Sequence, residues 1–345
     1  MMSEFLIVGG DLFSEKDSIN KFIKLLITNK PKNVLYFTTG EWDVNQTIRK
    51  VDFQVIERIC VNYNIQIYVL LGGEEHENIL SHKYPKENFH ILRWPTYCIH
   101  EVNFGLARHY GNVENLKTEV DFNHIYDCYN HIPHHHRCVL MDELSRNDLM
   151  KYGIISWNKF DTWYNDFQFT HWDPKLMLLD EDFFIEGMRN EYSRNLLKNS
   201  GFFSVVTEST VLHMDYTEKT FRALYLEKPF LILAKEGQNQ NLKKYGFETF
   251  DEIFDYDFDN DKNLNVRIEG VVNNIKSLIG KDLQEVNGVV LEKVKHNKKR
   301  IMEIEKNDEF VPIGLIELFR KYPDQFLNSD KLPIFIRDVL RRYLD

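Results

Sequence analysis

The feature that most constrains this chain is a repeated alternation of short, near-continuous apolar runs with segments of helical periodicity. In the first third, Phe5 to Val8 ends at Gly9-Gly10-Asp11, Asn33 to Thr38 at Thr39-Gly40-Glu41, and Ile65 to Leu71 at Gly72-Gly73; Phe89 to Trp94 is a fourth run. Between the runs, Ile19, Phe22, Ile23, Leu26 and Ile27 recur at helical spacing, and Phe53, Ile56, Ile59 and Cys60 mark one side of a second helix over Val51 to Asn62. Apolar runs without polar alternation are strands buried on both faces, and strands that alternate with helices build a parallel sheet.

The pattern then restarts. Phe122 to Cys128 reads as a strand, followed by a helix from about His136 and a strand over Ile154 to Trp157. Helical segments are expected over Glu181 to Met188 and Ser193 to Asn199. Phe202 to Thr207 is the next strand, Thr217 to Leu226 a helix, Phe230 to Ala234 a strand and Asn239 to Tyr245 a helix. Past Leu264 the chain reads as mainly helical, with Val271 to Ile279 and Leu291 to Glu305 as the longest candidates. The polar stretch from Tyr97 to Val120 reads as an irregular connection, and the acidic Phe250 to Asp261 as a solvated loop. A length of 345 residues suffices for two domains. The expectation is an α/β protein with two Rossmann-like, doubly wound domains facing a cleft, 1–118 and 119–345, the second carrying a helical C-terminal region. Ligands of such sheets bind outside the carboxyl ends of the strands.

Composition narrows the function. A formal charge of −10, with no long basic run to offset it, disfavours a general binder of nucleic-acid backbones. Cys60, Cys98, Cys128 and Cys138 form no C-x-x-C pair, which argues against a zinc ribbon and a disulfide framework and for free thiols in a reducing compartment. No basic region followed by a long apolar run opens the chain, and no stretch approaches the roughly 18 apolar residues of a membrane span. The expected location is the cytoplasm.

Two segments concentrate groups suited to chemistry. Asp215-Tyr216-Thr217-Glu218-Lys219-Thr220-Phe221 spans the loop and first turn after the Phe202 to Thr207 strand. Asp215 or Thr217 can cap that helix, Glu218 can accept from the vicinal hydroxyls of a ribose, and Lys219 supplies a point charge for a diphosphate. The same spacing also describes a capped surface helix with an acidic first turn. Asn130-His131-Ile132-Pro133-His134-His135-His136-Arg137 likewise joins a strand to a helix, where Arg137 can grip phosphate through its planar fork. The histidines lack a carboxylate partner at helical spacing, so no metal site is expected, and His131, His134 and His135 read as surface residues.

Together these segments resemble a family of glycosyltransferase-like proteins common in viruses, bacteriophages especially. Its members carry N-x-x-P-x-x-H-R-x-x-L, then T-E at a strand end, T-E-K-T-F, K/H-P-F and L-x-x-x-G-F-x-T-F. Here these are Asn130 to Leu140, Thr207-Glu208, Thr217 to Phe221, Lys228-Pro229-Phe230, and Leu242 to Phe250. The T-E-K segment also looks like the donor-binding motif of α-1,3-fucosyltransferases, which have the GT-B fold. The resemblance spans about Asp121 to Asp261 and leaves out the first third. His134 and His135 stand where many relatives have arginine-rich residues.

The resemblance implies metal-independent transfer of a sugar from a nucleotide-sugar donor, a substrate rather than a cofactor, to a hydroxyl of a glycan, lipid or protein. It would place Glu218 on the ribose, Lys219 and Arg137 on the diphosphate, and Asn130, Glu208 and Thr217 in the same crevice. A modified base in viral DNA is the alternative acceptor, and a non-catalytic nucleotide-sugar-binding protein the alternative class. An inverting enzyme also needs a general base; Asp11 and Glu41 are candidates because each follows the end of a strand.

Overall fold

A computed structural model of the chain describes residues 4–9, 16–37, 50–72, 87–111, 113–116, 118–130, 133–157, 167–173 and 200–344. The chain divides into two compact units, Met1–Glu101 together with Asn307–Asp345, and Val102–Lys306. Each contains a parallel four-stranded sheet. No helix among the described residues is long and apolar enough to cross a membrane.

In the first unit, β1 (Phe5–Gly9), α1 (Lys16–Asn29), β2 (Asn33–Phe37), α2 (Lys50–Tyr63), β3 (Gln66–Leu71) and β4 (Phe89–Arg93) follow one another, and the strand order is β1-β2-β3-β4. Every residue of β2 is buried, as its run of apolar side chains requires. Each crossover moves the chain one strand in the same direction, so right-handed connections keep α1 and α2 on one face. Phe22 and Leu26 of α1 and Ile56, Ile59 and Cys60 of α2 pack there against Val8, Val34, Tyr36 and Ile67.

α3 (Tyr97–Tyr110) occupies the stretch that the sequence marks as irregular. Its polar residues and Gly105 mask an apolar stripe: Cys98, Ile99, Val102 and Leu106 are all buried at helical spacing. Pro95-Thr96 just before it is the start signal.

The second unit runs through β5 (Tyr126–Asn130), α4 (His135–Arg146), β6 (Gly153–Trp157), β7 (Phe203–Thr207), α5 (Glu218–Tyr225), β8 (Phe230–Leu233), α6 (Gln238–Asn241), α7 (Leu264–Ser277) and α8 (Leu283–Lys306). Its strand order is β6-β5-β7-β8, so the chain leaves the β5–β7 boundary in opposite directions. The expected helices over 181–188 and 193–199 lie outside the described residues. The helix expected over Asn239 to Tyr245 is a four-residue α6 continued by a 3-10 turn over Leu242–Tyr245, which ends at Gly246 with φ +84°. A side chain at Gly246 would also meet Arg300 Nε at 2.7 Å, so this position requires glycine twice over.

Phe250 to Asp261 is not a solvated loop. Phe254, Tyr256 and Phe258 are buried while Asp255 and Asp257 between them are exposed. Every second side chain enters the core, and Phe250 packs edge-on to Phe230 of β8 at 5.4 Å. Asp259 is buried too, because its carboxylate accepts from the backbone N–H groups of Asn239 and Gln240 and from Asn239 Nδ2 at the start of α6.

α9 (Ile313–Lys321), α10 (Pro323–Leu327) and α11 (Ile334–Arg341) belong to the first unit rather than to the region 119–345 in which the sequence reading put them. Phe5 of β1 stacks on Tyr322 at 4.8 Å and on Phe326 at 5.1 Å, and Asn33 Nδ2 donates to Tyr322 Oη at 2.8 Å. The first sheet has two apolar faces, and these terminal aromatics help to bury residues that α1 and α2 do not. Each such aromatic contributes roughly 1.5–3 kcal/mol on burial.

Candidate functional site

The β5–β7 boundary is a topological switch point, the place where open α/β sheets bind ligands. Its ladder pairs Tyr126 with Phe203 and Asp127 with Ser204, whereas the β5–β6 ladder continues to Asn130 opposite Trp157 and the β7–β8 ladder to Thr207 opposite Leu233. Beyond Asp127 the two central strands are therefore joined by side chains. The hydroxyl of Thr207 donates to Asn130 Oδ1 at 2.7 Å. Asn130 Nδ2 in turn donates to Cys128 Sγ at 3.2 Å, and its backbone N–H to Ser156 Oγ at 3.1 Å. Asn130 is 1% exposed, so it pins strand ends rather than reaching a ligand.

α4 reinforces the same junction. His136 Nε2 donates to the Glu208 carbonyl at 2.8 Å, a partner that can only accept and so fixes the tautomer. Burial, then the Arg137 cation beside it, holds the His136 imidazole well below its ordinary range. Arg137 Nη2 donates to the carbonyls of Thr207 at 2.9 Å and Glu208 at 3.2 Å. At 2% exposure Arg137 is a buried brace of the β7 end, whereas the sequence reading set it on the diphosphate.

Glu208 is 1% exposed and is held at both ends. Its carbonyl receives His136 and Arg137, and its carboxylate accepts the backbone N–H of Thr217 at 3.1 Å, the hydroxyl of Thr220 at 2.6 Å and the hydroxyl of Thr217. Glu208 thus sits at the positive end of α5, where a carboxylate is favoured. Thr217 is the N-cap: its Oγ1 accepts from the Lys219 N–H at 3.4 Å. Asp215, the other cap candidate, does not take that place.

What remains reachable at the start of α5 is Glu218 and Lys219, both half-buried. Lys219 Nζ pairs with Glu218 Oε1 at 2.6 Å and donates to Ser209 Oγ at 3.1 Å and Thr217 Oγ1 at 3.3 Å. Burial opposes ionisation of Glu218, but Lys219 and then Arg222 outweigh it and hold the carboxyl below its usual range. The pair therefore places an anionic acceptor beside a cation on one rim of the switch point.

Across the junction, His134 is half-buried and His135 exposed; His131 lies outside the described residues. Burial, then Arg137 and Lys219, pushes the His134 imidazole down to about 4. The two motif segments meet through Glu208, whose carbonyl accepts from His136 and Arg137 and whose carboxylate accepts from Thr217 and Thr220. Among the described residues no group of three or more histidine, cysteine or acidic side chains gathers to hold a metal ion. Asp11 and Glu41 also lie outside the described residues.

Sequence reasoning missed a buried polar cluster at the amino ends of the same strands. Lys228 Nζ pairs with Asp127 Oδ2 and donates to Ser200 Oγ, and Ser204 Oγ donates to Asp127 Oδ1 at 2.8 Å. Both charged side chains are 1% exposed, and burial lowers the Lys228 pKa from its ordinary value. The partners are 101 residues apart, and only the lysine of the K-P-F motif hinted at a role. Arg222, three residues after Lys219, is the signal that spacing alone offered. Comparison of the chain with protein-family models, curated proteins and solved structures finds no match.

Proposed function

We propose that the second unit binds a nucleotide-sugar donor at the β5–β7 switch point, and that the protein transfers the sugar to a hydroxyl acceptor without a metal ion. The observation that carries this reading is the half-buried Glu218–Lys219 pair at the start of α5, above a junction locked by Asn130, Thr207, Glu208, His136 and Arg137. Glu218 is poised to accept from two ribose hydroxyls, and Lys219 to meet a phosphate. Departure of a nucleoside diphosphate builds negative charge, and a fixed cation in a half-buried site stabilises that charge with little reorganisation. The buried network beneath supplies the rigidity such preorganisation needs.

The test is a thermal-shift screen against UDP, GDP, CMP, ADP and dTDP, alone and as sugar conjugates. A ligand that binds only the native state stabilises by RT ln(1 + [L]/Kd), so even weak donors register at millimolar concentration. One selective shift, lost in Lys219→Ala, is the expected result. No shift with any nucleotide would overturn the donor reading.

A further inference from the structure

We infer that Arg222 is the second phosphate-gripping cation of the donor site and that it, not Arg137, distinguishes a diphosphate from a monophosphate; this rests on the donor reading above. Residues three apart on a helix share a face, so Arg222 leaves α5 on the same side as Lys219. That side looks across to β5. Lys219, Arg222 and Leu226 line a cavity together with Tyr129 of β5 and Thr207 of β7. The Asp127–Lys228 pair, with both side chains 1% exposed, lines it too.

The cavity itself measures about 20 Å³, room for one water, so a phosphate sits at its rim rather than inside it. Lys219, Arg222, Tyr129 and Ser204 are the half-buried residues of its lining, partly open to solvent. The Arg222 guanidinium carbon lies 5.8 Å from the Tyr129 ring centroid. The face of an aromatic ring attracts such a cation, and a guanidinium fork can bind two phosphate oxygens at once. Arg137 has no such reach, being 2% exposed with Nη2 on two backbone carbonyls. Lys219 is already paired with Glu218 at 2.6 Å, so it serves one phosphate as a partly balanced charge. A second phosphate calls for a second cation, and Arg222 stands one turn along the same face.

The test compares the affinity of the full-length protein for nucleoside mono- and diphosphates by titration calorimetry, using the UMP/UDP, GMP/GDP and AMP/ADP pairs, with inorganic pyrophosphate as a base-free probe. In the parent the diphosphate of the preferred base binds more tightly than its monophosphate. Arg222→Ala is expected to shrink that ratio by on the order of tenfold, the worth of one hydrogen bond to a charged group, while changing monophosphate affinity far less. Arg222→Lys, which keeps charge but loses the fork, falls between. Should Arg222→Ala prove unstable, Arg222→Gln carries the same comparison. An unchanged ratio in the alanine or glutamine variant overturns the Arg222 assignment and leaves the donor reading standing. A parent that binds neither pyrophosphate nor any of these nucleotides overturns both.

Discussion

The Thr207 hydroxyl donates to Asn130 Oδ1 at 2.7 Å, and this one bond ties the carboxyl ends of β7 and β5 where their backbone ladder has stopped. Both residues are nearly sealed from solvent, at 2% and 1% exposure. Their role is therefore to hold the crevice at a fixed width. Asn130→Ala should cost about 1–3 kcal/mol of stability, because Thr207 loses a buried acceptor. Urea denaturation of the two proteins measures it. A variant of parental stability that has lost nucleotide affinity would instead make Asn130 a direct ligand contact.

The Asp127–Lys228 pair invites a sharper test. Lys228→Met strands a carboxylate that is 1% exposed, and removing one partner of a buried pair typically costs ~3–5 kcal/mol. Replacing both, as Asp127→Leu with Lys228→Met, should recover a large part of that loss, since neither charge is then left uncompensated. A double-mutant cycle on melting midpoints reads the coupling. Additive losses would mean that the two charges are solvated separately and do not act as a pair.

Much of this architecture is legible in the residues themselves, and the exceptions share a cause. β2, β7 and β8 announce themselves because buried parallel strands are near-continuous apolar runs. α3 and the Phe250 to Asp261 segment do not, because polar residues interleave with the buried ones and hide a stripe that only packing reveals. The same holds at the site. Thr217 as a cap and the Glu218–Lys219 step are local, so spacing points to them. Arg137 misleads because a helix-start arginine looks identical whether its fork faces a phosphate or the carbonyls of a strand 70 residues away. Asp127 with Lys228 is a tertiary pairing, and no local pattern encodes it.

Three histidines make the fold acid-sensitive. His136 lies well below its model-compound value of 6.5, His134 is at about 4 and His100 at about 3, with burial the first cause in each. A lowered histidine pKa means that the unfolded chain binds the proton first, so stability is full above 6.5 and falls as pH drops below it. The His134 contribution is complete near pH 4, whereas that of His100 continues toward about 3. His136→Gln keeps a donor for the Glu208 carbonyl and removes one proton from the slope. Thermal melts of parent and variant between pH 7.5 and 4.5, taken at roughly half-unit steps, compare the two slopes directly. Parallel curves would mean that His136 is already protonated in the fold.

Glu218 titrates in the opposite sense to those histidines, and lower down. Lys219 and Arg222 hold its folded pKa below the ordinary 4.5, so the pair contributes fully above 4.5 and is lost as pH falls through the lower folded value. The difference in melting temperature between the parent and Glu218→Gln should therefore be flat from pH 7 to 5 and shrink only below 4.5. Ligand binding adds a second readout. If Glu218 accepts from ribose hydroxyls, Glu218→Gln weakens a nucleoside diphosphate but not inorganic pyrophosphate, because only the former carries the ribose. Equal weakening of both would place Glu218 in support of Lys219 alone and remove it from the sugar.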